Sequence, residues 1–149
     1  KGLDGLGDNI VLIATTNLFG QFDKALTRRF DSIINFNRYS KDELLDVAEI
    51  ILNELFSTFK FAGRNMRLFR KILVTMHEVP YPGELKNIIK TAIAFSDPSS
   101  EFDYLKKLYE TIHTGTSDLK QLQDEGFTIR EIEILTGVSR SKVARELQD

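Results

Sequence analysis

Asn17 ends an apolar run, Asn9-Ile-Val-Leu-Ile-Ala14, that is extended by two threonines. An amide at the tip of a buried strand can hydrogen-bond a phosphate oxygen or orient an attacking water. The same residue type also serves as a plain strand-end cap. Arg28 and Arg29 stand side by side. Their planar, permanently charged guanidinium groups suit a phosphoryl group whose transition state spreads charge over its oxygens. At a helix C-terminus they would equally be solvated residues favoured by the dipole. Near the other end, Ser139, Arg140, Ser141, Lys142 and Arg145 crowd hydroxyls and cations together. These types contact phosphates and base edges in a major groove.

Other chemistries are excluded. Gly2-Leu-Asp-Gly-Leu-Gly7 is glycine-rich but lacks a Gly-Lys-Ser/Thr ending. It also precedes a strand, whereas a phosphate-binding loop follows one and opens a helix. It reads as a surface loop. No acidic pair follows an apolar strand, so the Mg²⁺-holding Walker B element is missing as well. With no cysteine there is no thiol nucleophile, disulfide or thiolate metal site. His77 and His113 are too few and too far apart for zinc and receive no role. Lys60, Arg64, Arg67, Arg70 and Lys71, interleaved with Phe61 and Phe69, read as a solvated helix face.

These residues must be held by elements that the patterning predicts. The 149 residues suffice for one ordinary domain or two very small ones. With 42% hydrophobic and 28% charged residues, the chain should fold in water. A net charge of -2 excludes a strongly basic footprint overall but leaves room for a local patch. No run of apolar residues is long enough to span a membrane, and no basic n-region precedes an apolar segment. A cytoplasmic protein is expected. Residues 9–14 and Ser32-Ile-Ile-Asn-Phe36 read as buried strands, with a helix of about two turns between them. Two strands cannot make a stable sheet alone, so the chain reads as a piece that begins inside a larger α/β domain.

From Ser40 onward the pattern is helical. Ser40 and Glu43 form a capping box, and Leu44, Leu45, Ala48, Ile51, Leu52, Leu55 and Phe56 follow helical spacing. Further helices are expected at about 66–77, 84–95 and 102–113, with a linker at Asp97-Pro-Ser-Ser100 and a Thr-Gly-Thr-Ser turn at 114–117. A cluster of short helices follows from Asp118. The phenylalanines, Phe19, Phe22, Phe36, Phe56, Phe69 and Phe95 among them, are read mostly as core.

The order and spacing of "LDGL", "NIVLIATTN", "FDKALTRRFD" and "SIINF" resemble the second half of an AAA+ ATPase core. The adjacent arginines bring it nearest the katanin and spastin clade. The resemblance covers about residues 3–97. It implies a fold that is mainly α with a small parallel β remnant. The implied order is core at 1–39, helical lid at 40–97, linker and connecting helix at 98–117, and a last module at 118–149. It implies that Asn17 is the sensor-1 residue, Arg29 the arginine finger and Arg28 its second arginine. The finger reaches a neighbouring subunit, so other copies of the chain would form a ring, a hexamer when intact. "PYPGELKNIIKTAIAFS" resembles the family's sensor-2 stretch, with Gly83 and Glu84 at the nucleotide-facing lid positions. Other branches have an arginine there, and this chain has none. ATP and Mg²⁺ are the implied cofactors of the intact protein, which would hydrolyse ATP to drive remodelling. The chain alone, without Walker A and Walker B, should be inactive.

Gly126 to Leu147, "GFTIREIEILTGVSRSKVAREL", resembles a helix-turn-helix. Ile129 and Ile132 would face the core, Gly137 would make the turn, Val138 and Val143 would anchor the second helix, and Ser139 would cap it. Families of this kind usually have alanine four residues before the turn glycine, and here it is Glu133. Residues 118–149 hold seven acidic and five basic residues, which weakens a phosphate-driven interaction. Duplex DNA is thus one candidate partner. The alternatives are a DNA-binding regulator with this motif as its main element, and a chaperone-like ATPase whose C-terminal helices bind a protein substrate or partner.

Overall fold

The computed structural model describes residues 9–36, 38–58, 63–113 and 118–148. The glycine-rich segment 2–7, Phe59, Lys60, Phe61 and the 114–117 turn lie outside them. The chain divides after Arg38 into two units. Among the described residues the only regular elements are helices, so the fold is mainly α. None of these helices is long and apolar enough to cross a membrane.

In the first unit the expected β remnant does not form. Residues 9–14 and 32–36 are irregular backbone, and their side chains stand open to solvent, Val11 86% and Ile34 74% exposed. The composition of a buried strand does not suffice. A strand needs neighbours to take its backbone hydrogen bonds and cover its faces, and no strand pairs with either run among the described residues. The intervening helix is also shorter than expected. A 3₁₀ turn at Phe19–Gln21 precedes a single α-turn, α1, at Lys24–Thr27. The Asp23 carboxylate caps α1 by accepting from the Ala25 N–H at 3.0 Å.

From Tyr39 the chain folds as one all-helical unit. Its elements are α2 (Lys41–Thr58), α3 (Met66–Val74), α4 (Pro82–Ala94), α5 (Asp103–Ile112), α6 (Leu119–Asp124), α7 (Ile129–Thr136) and α8 (Arg140–Glu146). The Ser40–Glu43 capping box opens α2: the Ser40 N–H donates to the Glu43 carboxylate at 2.7 Å and the Glu43 N–H to Ser40 Oγ at 3.3 Å. Helix α3 stops three residues short of expectation. Lys41 Nζ reaches across to donate to the Val74 and Met76 carbonyls, both at 3.0 Å, satisfying groups the helix end leaves open. Pro82 sits in the first turn of α4, where its missing N–H costs nothing. At Asp97 the chain turns tightly. The Asp97 carboxylate accepts from the Ser99 N–H at 2.8 Å, and the Asp97 N–H donates to Asp103 at 2.8 Å.

One continuous core runs through the unit, with Leu52, Leu68, Phe69, Leu85, Leu105, Ile132 and Val143 all essentially sealed from water. Phe56 and Phe69 belong to it, as expected. Phe19, Phe22, Phe36 and Phe95 do not and remain exposed. Tyr109 joins the connecting helix to the last module, edge-on to Phe127 at 5.9 Å and stacked on His113 at 4.3 Å.

Candidate functional site

Of the three short helices α6–α8, the first two begin with side-chain caps of their own. Asp118 caps α6, and Thr128 with Glu131 forms a complete capping box on α7. Gly137 ends α7 at φ 74°, a left-handed conformation that costs a residue with a Cβ about 1–2 kcal/mol. Helix α8 then leaves across α7, its Val143 buried against Ile132 and Leu135 in the common core. Val138 is half-buried against the same core. Ile129 is not the core residue expected of it: it lies at the first position of α7 and is 41% exposed. A residue so near the helix start hangs beyond the face that α5 and α8 cover.

Ser139, Arg140, Ser141, Lys142 and Arg145 are all exposed, on the first residues and outer face of α8. Ser139 takes the N-cap position but its hydroxyl makes no capping bond. The acceptor comes from Glu133, one helix back. Its Oε1 receives the Arg140 N–H at 3.4 Å, and its Oε2 receives Arg140 Nε at 2.5 Å. The Arg140 guanidinium holds the Glu133 carboxyl below its ordinary pKa. Lys142 lies 3.7 Å from Glu146, a looser pair one turn along the same helix. Arg145 forms no ion pair among the described residues.

The module is fastened to the preceding helices. Lys71 Nζ on α3 donates to Glu131 and to the Gly126 carbonyl, both at 2.7 Å, and lies 4.9 Å above the Phe127 ring. Burial pushes the Glu131 carboxyl up, but the bonds from Lys71 and Thr128 outweigh it and leave the group below its ordinary value. Arg70 pairs instead with α2, 2.7 Å from Asp46 and 2.9 Å from Glu49. The basic stretch is therefore not a purely solvated face. Two of its members tie α3 to other elements, Arg70 to α2 and Lys71 to the start of the last module.

The residues matched to the ATPase pattern fall in both units. In the first, Asn17 sits in an exposed bend, and Arg28 and Arg29 are exposed just past α1. Their amide and guanidinium donors suit phosphate oxygens. In the second unit, Gly83 and Glu84 open α4, both exposed. A Cβ on Gly83 would meet open space, so no cradle closes there. Glu84 edges a cleft of about 520 Å³ that also holds Tyr39, Lys41, His77 and Tyr81. A carboxylate there disfavours a direct phosphate contact, while Lys41 lines the same cleft. Among the described residues no cluster of carboxylates or imidazoles could hold a metal ion. Asn17, Arg28 and Arg29 are of types that can donate to phosphate oxygens, and no cluster of the described residues offers a metal ion its ligands.

No protein-family model matches the chain, and no curated protein or solved structure matches it either. Two contacts that shape the site are not legible from the sequence pattern. Glu133 had stood out only as an unusual residue at a helix crossing, although an acid and a base flanking a turn glycine are a signal for a pair across it. Lys71 carried no signal, because its partner lies sixty residues away.

Proposed function

We propose that the chain contributes the sensor-1 amide, the arginine finger and the helical lid of a cytoplasmic AAA+ ATPase, and that its last helices form a DNA-contacting helix-turn-helix. The observation that carries this reading is a contrast between the units. Residues from Tyr39 onward close a hydrophobic core of their own, whereas Ile10–Ile13 and Ile33–Phe36 expose side chains of buried-strand type. An apolar run of that kind is stable when a sheet takes it up. The remaining strands of an AAA+ core are what these two would join. In the intact protein, ATP and Mg²⁺ would be held by Walker elements that this sequence does not contain. Asn17 would bond the terminal phosphate, and Arg29 with Arg28 would neutralise developing charge in a neighbouring copy within the ring.

The test is Arg29→Ala in the protein that joins these residues to Walker A and Walker B. Hydrolysis should fall by about 10³-fold, the scale such a group supplies. A rate within about twofold of wild type removes the finger assignment. For the C-terminal helices, anisotropy against random duplex DNA should show affinity that drops steeply between about 50 and 200 mM salt. A second reading is favoured by the pairing of Arg140 and Lys142 with Glu133 and Glu146. On that reading the module binds a protein partner, and salt-insensitive association would support it.

A further inference from the structure

The outer face of α8 is a cationic surface with an acid built into its base. Arg140 is the first residue of the helix and projects from the turn that follows Gly137. Its Nε faces the Glu133 carboxylate, which arrives from α7 and also accepts from the Arg140 backbone N–H. This pair differs in kind from Lys142–Glu146, where both partners are exposed, share one helix and stand 3.7 Å apart. An exposed pair at that spacing contributes little and dissociates readily. Glu133 is only one-third exposed, and it meets Arg140 twice, with Oε2 on the guanidinium Nε and Oε1 on the backbone N–H.

A carboxylate on Nε engages one of the guanidinium edges by which arginine grips a DNA phosphate or a guanine, and offsets its charge. We propose that Glu133 is a specificity-determining residue of the helix-turn-helix: its carboxylate competes with DNA phosphates for Arg140, so that Arg140 is released only by a contact better than a backbone phosphate. The inference rests on the DNA reading given above. Phosphate contacts are the same on any sequence, whereas base-edge contacts are not. Holding one cation back therefore lowers indiscriminate binding more than it lowers binding to a matched site. Other charges near the pair leave this balance intact. Arg130 on α7 adds a weaker attraction to Glu133, and Lys106 Nζ on α5 lies 3.9 Å from where a Gly137 side chain would begin.

The full chain tests this with four proteins: wild type, Glu133→Ala, Arg140→Ala and the double variant. Each is titrated by anisotropy against random duplex DNA over a series of salt concentrations. Glu133→Ala should bind several-fold tighter than wild type, with a log–log salt slope steeper by about 0.9, the increment for one added phosphate contact. Arg140→Ala alone should change little, and adding it to Glu133→Ala should abolish the gain. Equal affinity for wild type and Glu133→Ala overturns the proposal while leaving DNA binding in place. A gain that survives Arg140→Ala also overturns it, because net charge alone would then be responsible. No binding by any of the four at about 50 mM salt overturns the DNA reading and this inference together. Glu133→Gln keeps an acceptor for the Arg140 N–H. It should reproduce the gain with an unchanged helical circular dichroism signal, which separates lost charge from lost folding.

Discussion

At the scale of single residues, Lys71 is a polar tie between α3 and the last helices. It is three-quarters buried and bonds a carboxylate and a carbonyl while covering an aromatic ring. Lys71→Ala should cost about 2 kcal/mol, because Glu131 and the Gly126 carbonyl would lose a charged donor in a water-poor setting. Urea midpoints of the two proteins check this. The pair also sets a pH dependence. The Glu131 carboxyl is held below its ordinary value of 4.5, so the folded state binds its proton more weakly than the unfolded chain does. Its contribution is complete above about pH 4.5 and is lost as pH falls through the folded value. Glu131→Gln should therefore flatten the acid limb of stability against pH, followed by urea midpoints between about pH 3 and 6. Nothing in the local sequence marks Lys71 for this role. Its neighbours suggest a solvated stripe, and the partner is supplied by tertiary packing.

At the scale of elements, local chemistry and outcome agree where caps are concerned. Ser40 with Glu43 and Thr128 with Glu131 start helices within their own turns, and Gly137 ends one. Gly137→Ala should destabilise the unit by about 1 kcal/mol through its left-handed backbone and not through crowding, since its nearest neighbour lies 3.9 Å away. Gly137→Asn should cost less, and thermal midpoints would rank the two. Agreement fails at the apolar runs 10–13 and 33–36. Their β-branched composition is plain, but a strand is a pairwise structure and composition names only one partner. It fails again at Ser139, where the expected hydroxyl cap is replaced by Glu133 from across the turn.

At the scale of the whole molecule, helices α2–α5 and the three last helices α6–α8 share one core and should unfold together. Ile132 is fully buried in α7, a helix that packs on both α5 and α8. Ile132→Ala should cost about 2–5 kcal/mol, the usual range for a truncation that leaves a cavity. Hydrogen exchange should then show α2 and α7 losing protection together. If α7 alone opened, the last helices would be an independent module.

From its own residues the chain determined most helix positions, their caps, the left-handed turn at Gly137 and the absence of cysteine chemistry. All of these depend on interactions within a few positions of one another. Only the tertiary structure decided which cations are engaged and which runs are covered. Lys71 meets Glu131, Arg70 meets Asp46, and Ile132 is sealed in the common core because packing brings distant segments together. The runs at 10–13 and 33–36 stay open for the same reason. Burial and pairing are properties of an assembled neighbourhood, and a linear pattern states the demand for that neighbourhood without supplying it.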